Sequence, residues 1–160
     1  MTTAELKKHL DLAEKSPKDI AAAVSGLPDA VLRHRISPDK WCILEILTHL
    51  ADMEILYAYR LRQMLADKDP VLAPIDQDAW AKNLRYLESS VPEQVALYGL
   101  NRYATVKLLR GLKEADLAKS ARHPEKPQPV TVADYVQMIS KHGPNHLEQI
   151  ERLKKAAGKA

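Results

Sequence analysis

Apolar residues recur along almost the whole chain at the three- and four-residue spacing of helices, and proline, glycine and capping residues cut that pattern into segments. Leu6, Leu10 and Ala13, following Thr2 or Thr3 as a cap, predict a short amphipathic helix from Thr3 to about Glu14. Ser16-Pro17 then repeats a start signal and predicts a second helix carrying Ile20, Val24 and Leu27, ended by Gly26 and Pro28. Residues 29–36 read as a connector or short helical turn, with His34 exposed between Arg33 and Arg35. Ser37-Pro38-Asp39-Lys40-Trp41 opens a third segment, and no breaker follows before Pro70. A helix from about Pro38 to Ala66 is expected there, roughly 40 Å long at 1.5 Å per residue.

Residues 67–75 form a proline-punctuated loop long enough to carry the chain to a non-neighbouring position in a bundle. Asp76 to Trp80 opens a short helix whose tryptophan is expected to plug the core, the other reading being a lid over a pocket. A further long helix is expected from Pro92 to Gly111, with Tyr98, Arg102 and Thr105 on one side. Either their polar tips enter a cavity shared with a functional site, or Arg102 pairs with a carboxylate such as Glu54 and fixes register. Residues 121–130 are extended and proline-rich and place His123 in a loop. Thr131 and Asp134 then supply a capping-box start for a last helix to about Lys155, with Tyr135, Met138, Ile139, His142, His146, Gln149 and Ile150 as its inward stripe.

At 160 residues the chain suits a single domain, 1–160, with one core. The small number of glycines, five, and the absence of phenylalanine beside many Ala and Leu favour an all-α fold. A net charge of +3, with Lys and Arg interleaved among Asp and Glu, offers no basic stripe for nucleic acid. Glu5, Lys7 and Lys8 are incompatible with a secretory leader, and no apolar run is long enough to span a bilayer, so a cytoplasmic protein is expected. The lone Cys42 excludes an intrachain disulfide and reads as a small buried thiol.

The chemistry lies in the histidines. His142 and His146, four apart on the last helix, stand one above the other and can aim two imidazoles at one point. A transition metal needs further ligands from another element, and His49, inside the strongly apolar third segment, is the best candidate. Asp52 and Glu45, within a turn of His49, are carboxylates able to orient an imidazole; Asp52 is the nearer candidate for a base. Gly143-Pro144 interrupts the helix between the two later histidines, so a kink or wide turn is expected, and with it a threat to the geometry of the pair.

Pro38-Asp39-Lys40-Trp41, then Glu45, His49, Leu50, Asp52 and Glu54, and the C-terminal His-x-x-x-His with Leu147, Gln149 and Ile150, together resemble the DinB-like (YfiT-like) metal-binding four-helix proteins. The resemblance covers most of the chain. It implies a four-helix bundle of unusual connectivity, with a long crossover and short extra helices, and a divalent metal held by positions matching His49, His142 and His146. It also implies a metal-dependent enzyme of small-molecule substrates, either a hydrolase or a transferase that uses a low-molecular-weight thiol such as bacillithiol or mycothiol. Two positions depart from the family pattern: Cys42 stands where a serine is expected, and the Gly-Pro pair separates the ligand histidines. The metal of such a site is expected to be Zn or Ni, with Fe or Mn as the other candidates, and three neutral imidazoles would leave its charge intact to lower the pKa of water or a thiol. A non-catalytic metal-binding bundle is the alternative reading, and a spare amphipathic face would serve a homodimer.

Overall fold

Capping chemistry fixes the ends of the elements through partners three residues apart, and a proline inside the first helix is accommodated through a partner distant in the chain. The computed structural model describes residues 1–158. Helix α1 (Thr3–Val24) opens with a capping box, in which Thr2 Oγ1 accepts from the Glu5 amide and the Glu5 carboxylate accepts from the Thr2 amide. It runs through Ser16-Pro17 as one helix, where two are predicted. Pro17 leaves the Ala13 carbonyl without its helical donor, and Arg102 Nη1 supplies one at 3.1 Å. The single turn α2 (Asp29–Leu32) follows Gly26, which takes a positive φ of 70° beyond the helix end.

Helix α3 (Ile43–Ala66) begins later than Pro38, because residues 37–40 form a turn closed by the Lys40 amide on the Ser37 carbonyl at 3.0 Å. The helix starts where Glu45 Oε2 accepts from the Cys42 amide at 2.9 Å. After the proline loop come α4 (Gln77–Asn83), capped by Asp76, and a 3₁₀ turn (Tyr86–Glu88). Helix α5 (Val91–Arg110) has Pro92 in its first turn, and α6 (Glu114–Leu117) is one turn. Strands β1 (Ser120–Ala121) and β2 (Val130–Thr131) pair antiparallel, with Ser120 opposite Thr131. They lead into α7 (Val132–Ala157), whose Thr131–Asp134 capping box forms as predicted.

Four helices make a closed ring in the order α1, α5, α3, α7: α3 packs on α5 and α7, and α1 packs on the same two. One apolar cluster joins Leu10 of α1, Leu61 of α3, Leu109 of α5 and Ile139 of α7; a second joins Val24, Ile43, Tyr98 and Ile150. These ends give the directions: α1 and α7 run one way, α3 and α5 the other. Neighbouring α3 and α5 are therefore parallel, and residues 67–90 return the chain along the length of the bundle between them. The proline loop thus leads to a neighbour, not to a distant position, while the links from α1 to α3 and from α5 to α7 cross the diagonals. Arg60 holds the returning segment by donating to the Ala73 carbonyl.

The core is consequently two apolar clusters with a buried polar layer between them, comprising Ser16, His49, Glu54, Arg102, Thr105 and Ser140. Trp80 is half-exposed instead of plugging the core, and Tyr86, 1% exposed, fills the space beside α3. Met138, 38% exposed, leaves the inward stripe of α7, whose buried positions include Val136, Ser140 and Gly143. Among the described residues no helix is long and apolar enough to cross a membrane.

Candidate metal centre

Adjacent helices α3 and α7 bring the three predicted histidines together. His49 Nε2 and His142 Nε2 lie 3.2 Å apart, and His142 Nε2 and His146 Nε2 are also 3.2 Å apart. One nitrogen from each of the three falls within 4.8 Å of the others, in a cluster that contains no carboxylate. His49 is buried; His142 and His146 are partly exposed, so the group sits at the inner end of an opening.

This geometry survives Gly143-Pro144 because α7 continues through the pair without interruption. Gly143 packs where α1 and α5 approach: a Cβ there would overlap Ser16 Oγ and lie 2.5 Å from Tyr98 Oη, two atoms that hydrogen-bond to each other at 2.9 Å. Pro144 removes the amide that would reach the Ser140 carbonyl. Ser140 Oγ donates to the Gln137 carbonyl at 2.8 Å, which leaves it to accept from His9 Nδ1 at 2.8 Å, tying this turn of α7 to α1.

The electrostatics keep the imidazoles neutral. Burial, followed by the charge of His146, holds His49 down to about 3; burial, followed by its two histidine neighbours, holds His142 at about 2. His146 is lowered by burial and partly compensated by its hydrogen bond to Gln149. With His146 Nδ1 carrying a proton for Gln149 Oε1, 3.0 Å away, the Nε2 lone pair faces the centre of the cluster.

The donor set fits a divalent transition metal. Two nitrogens each 2.0–2.1 Å from a tetrahedral ion would be roughly 3.3 Å apart, close to the 3.2 Å separations of this cluster. Without an ion the arrangement is frustrated. His142 Nδ1 is buried with no partner, and its Nε2 meets two other imidazole nitrogens, so neither tautomer satisfies both ring atoms.

The surroundings separate structural from chemical candidates. Trp41 packs against His49 with ring centroids 4.8 Å apart, and Tyr57 meets His142 edge-on at 5.4 Å. Asp52 is half-buried and Oδ2 accepts from Tyr86 Oη at 2.6 Å; burial and this bond both raise the tyrosine's pKa. A cleft of about 500 Å³ is lined by Trp41 and Tyr86 together with Arg35, Glu45, Lys82 and Arg85; the three histidines do not line it. Glu45 serves as the cap of α3 and pairs with Arg35 at 2.6 Å. Arg102 is committed to an ion pair: it grips Glu54 with two bonds of 2.5 and 2.8 Å, both side chains almost fully buried, and the shallow cavity it borders beside Pro17 and Tyr103 is not lined by the three histidines. His123 stays in the loop between the strands, accepting from the Glu125 amide. Cys42 is fully buried, and burial raises its thiol pKa, the opposite of an activated nucleophile. Gln149 and Tyr86 are the neighbours to which the sequence assigned no role; the three-residue step from His146 to Gln149 was the available signal for the first.

Known proteins share this framework. The family model of the DinB superfamily matches residues 12–150. A Geobacillus thermodenitrificans protein named "Putative metal-dependent hydrolase" is 27% identical over 156 residues, covering 96% of this chain and 86% of that one. Bacillus subtilis YfiT, which bears the same description, is 23% identical over 152 residues, covering 94% and 85%. The solved structure of YfiT, described as having "an unusual four-helix bundle topology", superposes with a TM-score of 0.92 at 21% identity, covering 99% of this chain and 90% of that one. A family match over most of the length, on a bundle of this connectivity, means that the chain belongs to the DinB superfamily.

Proposed function

We propose that this protein is a divalent-metal-dependent enzyme in which His49, His142 and His146 hold the ion and a small electrophilic substrate is attacked by water or by a low-molecular-weight thiol. The observation that carries the reading is the convergence of three neutral imidazoles, with His142 Nε2 3.2 Å from Nε2 of both His49 and His146 and one nitrogen of each ring within 4.8 Å of the others. The names of the relatives favour hydrolysis, with thiol transfer as the variant that the same site chemistry allows. A bound Zn or Ni ion, or Fe or Mn in its place, would supply Lewis acidity and a nucleophile available near neutral pH.

The chain's own residues do the rest. Gln149 keeps His146 in the tautomer that presents Nε2. Trp41 shields His49 from bulk water on the side of the cleft. Asp52, one helical turn beyond His49, has Oδ2 taken by Tyr86, which leaves Oδ1 to receive the proton of the incoming nucleophile.

The test begins with elemental analysis of untagged protein. About one equivalent of metal is expected in wild type and none in His49→Ala or His146→Ala, with helical circular dichroism retained. A panel of esters, amides and alkyl halides, assayed with and without added thiol, then reads the reaction. Turnover that disappears in His49→Ala and falls about 10²–10⁴-fold in Asp52→Asn, while that second variant keeps its metal, is the expected result. Wild type that takes up no Zn or Ni on incubation overturns the metal reading; metal without turnover of any class overturns the enzymatic one.

A further inference from the structure

The cleft beside Trp41 and Tyr86 has the size that small organic ligands occupy, about 500 Å³ against the roughly 300–1,000 Å³ usual for such sites. Its apolar wall comprises Trp41, Ala81, Tyr86 and Leu87, two of them aromatic. Tyr86 is almost wholly buried and tied through its hydroxyl to Asp52, so its place in the wall is fixed. Arg85 takes a positive φ of 57°, a conformation that costs energy in a residue with a side chain. It joins α4 to the 3₁₀ turn, and one short segment thereby brings both Lys82 and Tyr86 to the same cavity.

Most of the charge in the cleft is already committed. Glu45 pairs with Arg35 at 2.6 Å, and Glu88 with Arg85 at 3.4 Å. Asp39 accepts from Ser37 Oγ at 2.6 Å and pairs with Lys40 at 3.2 Å. Asp78 and Lys82 remain, four residues apart on α4 and both lining the cleft. Among the described residues neither has an ion-pair partner, not even the other, although their spacing is that of helical neighbours.

We propose that this cleft binds a small zwitterion with an apolar body, the chemistry of a free α-amino acid that carries a flat side chain. Lys82 meets its carboxylate, Asp78 meets its ammonium group, and the side chain lies along Trp41 and Leu87. A simple carboxylate would satisfy Lys82 but set its charge against Asp78. A simple amine would satisfy Asp78 and be repelled by Lys82. The site is separate from the metal centre, since the histidines do not line it. The two are nevertheless neighbours: Trp41 packs against His49, and Tyr86 holds Asp52. Binding in the cleft does not require the ion.

Isothermal titration calorimetry of the full metal-free chain with L-phenylalanine, hydrocinnamate and phenethylamine tests this. One L-phenylalanine per chain is expected, with each singly charged compound weaker by about tenfold or more. Lys82→Met and Asp78→Asn lie at exposed positions and should leave circular dichroism unchanged; each is expected to weaken L-phenylalanine about tenfold. Lys82→Met should tighten phenethylamine and Asp78→Asn should tighten hydrocinnamate, because each removes the opposing charge. In Trp80→Phe, Trp41 is the remaining tryptophan, and its fluorescence should follow the calorimetric isotherm. No binding of L-phenylalanine, a singly charged compound bound as tightly, an L-phenylalanine affinity unmoved by either charge substitution, or a silent Trp41 would each overturn the proposal. Because every titration is made without metal, its outcome is independent of whether the histidines hold an ion or the protein turns over a substrate.

Discussion

A hydrogen bond to the second ring nitrogen fixes which nitrogen an imidazole can offer to a metal, and Gln149 provides that bond for His146. Gln149→Ala frees the ring to turn and to exchange tautomers. Metal affinity is expected to fall 10–100-fold, read by competition with a chromophoric chelator, while thermal stability of the metal-free protein stays near wild type. An unchanged affinity would mean that packing by Trp41 and Tyr57 orients the rings without the amide. At this scale the sequence was most informative, because His142 and His146 are related by helical geometry and His49 was the one imidazole in an apolar helix. The contacts around them were not legible. Tyr86 reaches Asp52 from a 3₁₀ turn at the end of the returning segment, and no local pattern encodes that meeting.

Helix α1 tolerates Pro17 because another helix supplies what the proline removes. The Ala13 carbonyl freed by Pro17 is answered by Arg102, and Arg102 is itself held by Glu54. Replacing Glu54 by Gln leaves a guanidinium nearly fully buried without its counter-charge, and a loss of about 3–5 kcal/mol is expected in urea unfolding. The helix α1 was read as two because its continuity depends on a residue far along the chain; the Thr131–Asp134 cap of α7 was readable because both partners are local. Gly143 belongs to the same class as Pro17. Gly143→Ala drives a methyl group into Ser16 Oγ and is expected to cost about 1–3 kcal/mol. Part of that loss should return in Gly143→Ala/Ser16→Gly, which removes the hydroxyl in the way. If the second change restores nothing, the crossing of α1 and α7 is not what requires glycine.

At the scale of the molecule, the unusual order of helices places a polar layer, to which all four helices contribute, between two apolar clusters. Periodicity gave α3, α5 and α7 but split α1 in two, and the four-helix bundle followed from the family resemblance; that α3 and α5 run parallel was not legible, because the direction is set by the returning segment and its packing. The layer has a thermodynamic consequence that can be measured without any substrate. In the metal-free protein burial keeps His49 near 3 and His142 near 2, with His146 also below its usual value. In an unfolded chain each titrates near 6.5. Through the interval below about pH 6.5 the unfolded chain therefore binds protons that the folded chain refuses, so stability is full above that pH and declines as pH falls. The urea midpoint of metal-free wild type is expected to drop through this window more steeply than that of His49→Gln/His142→Gln/His146→Gln, which retains the carboxylates but not the imidazoles. Parallel profiles would show that the three rings do not stay neutral in the folded layer. Zn added near pH 7 should raise the wild-type midpoint and leave the triple variant unmoved, since an ion that binds only the folded chain stabilises it by mass action.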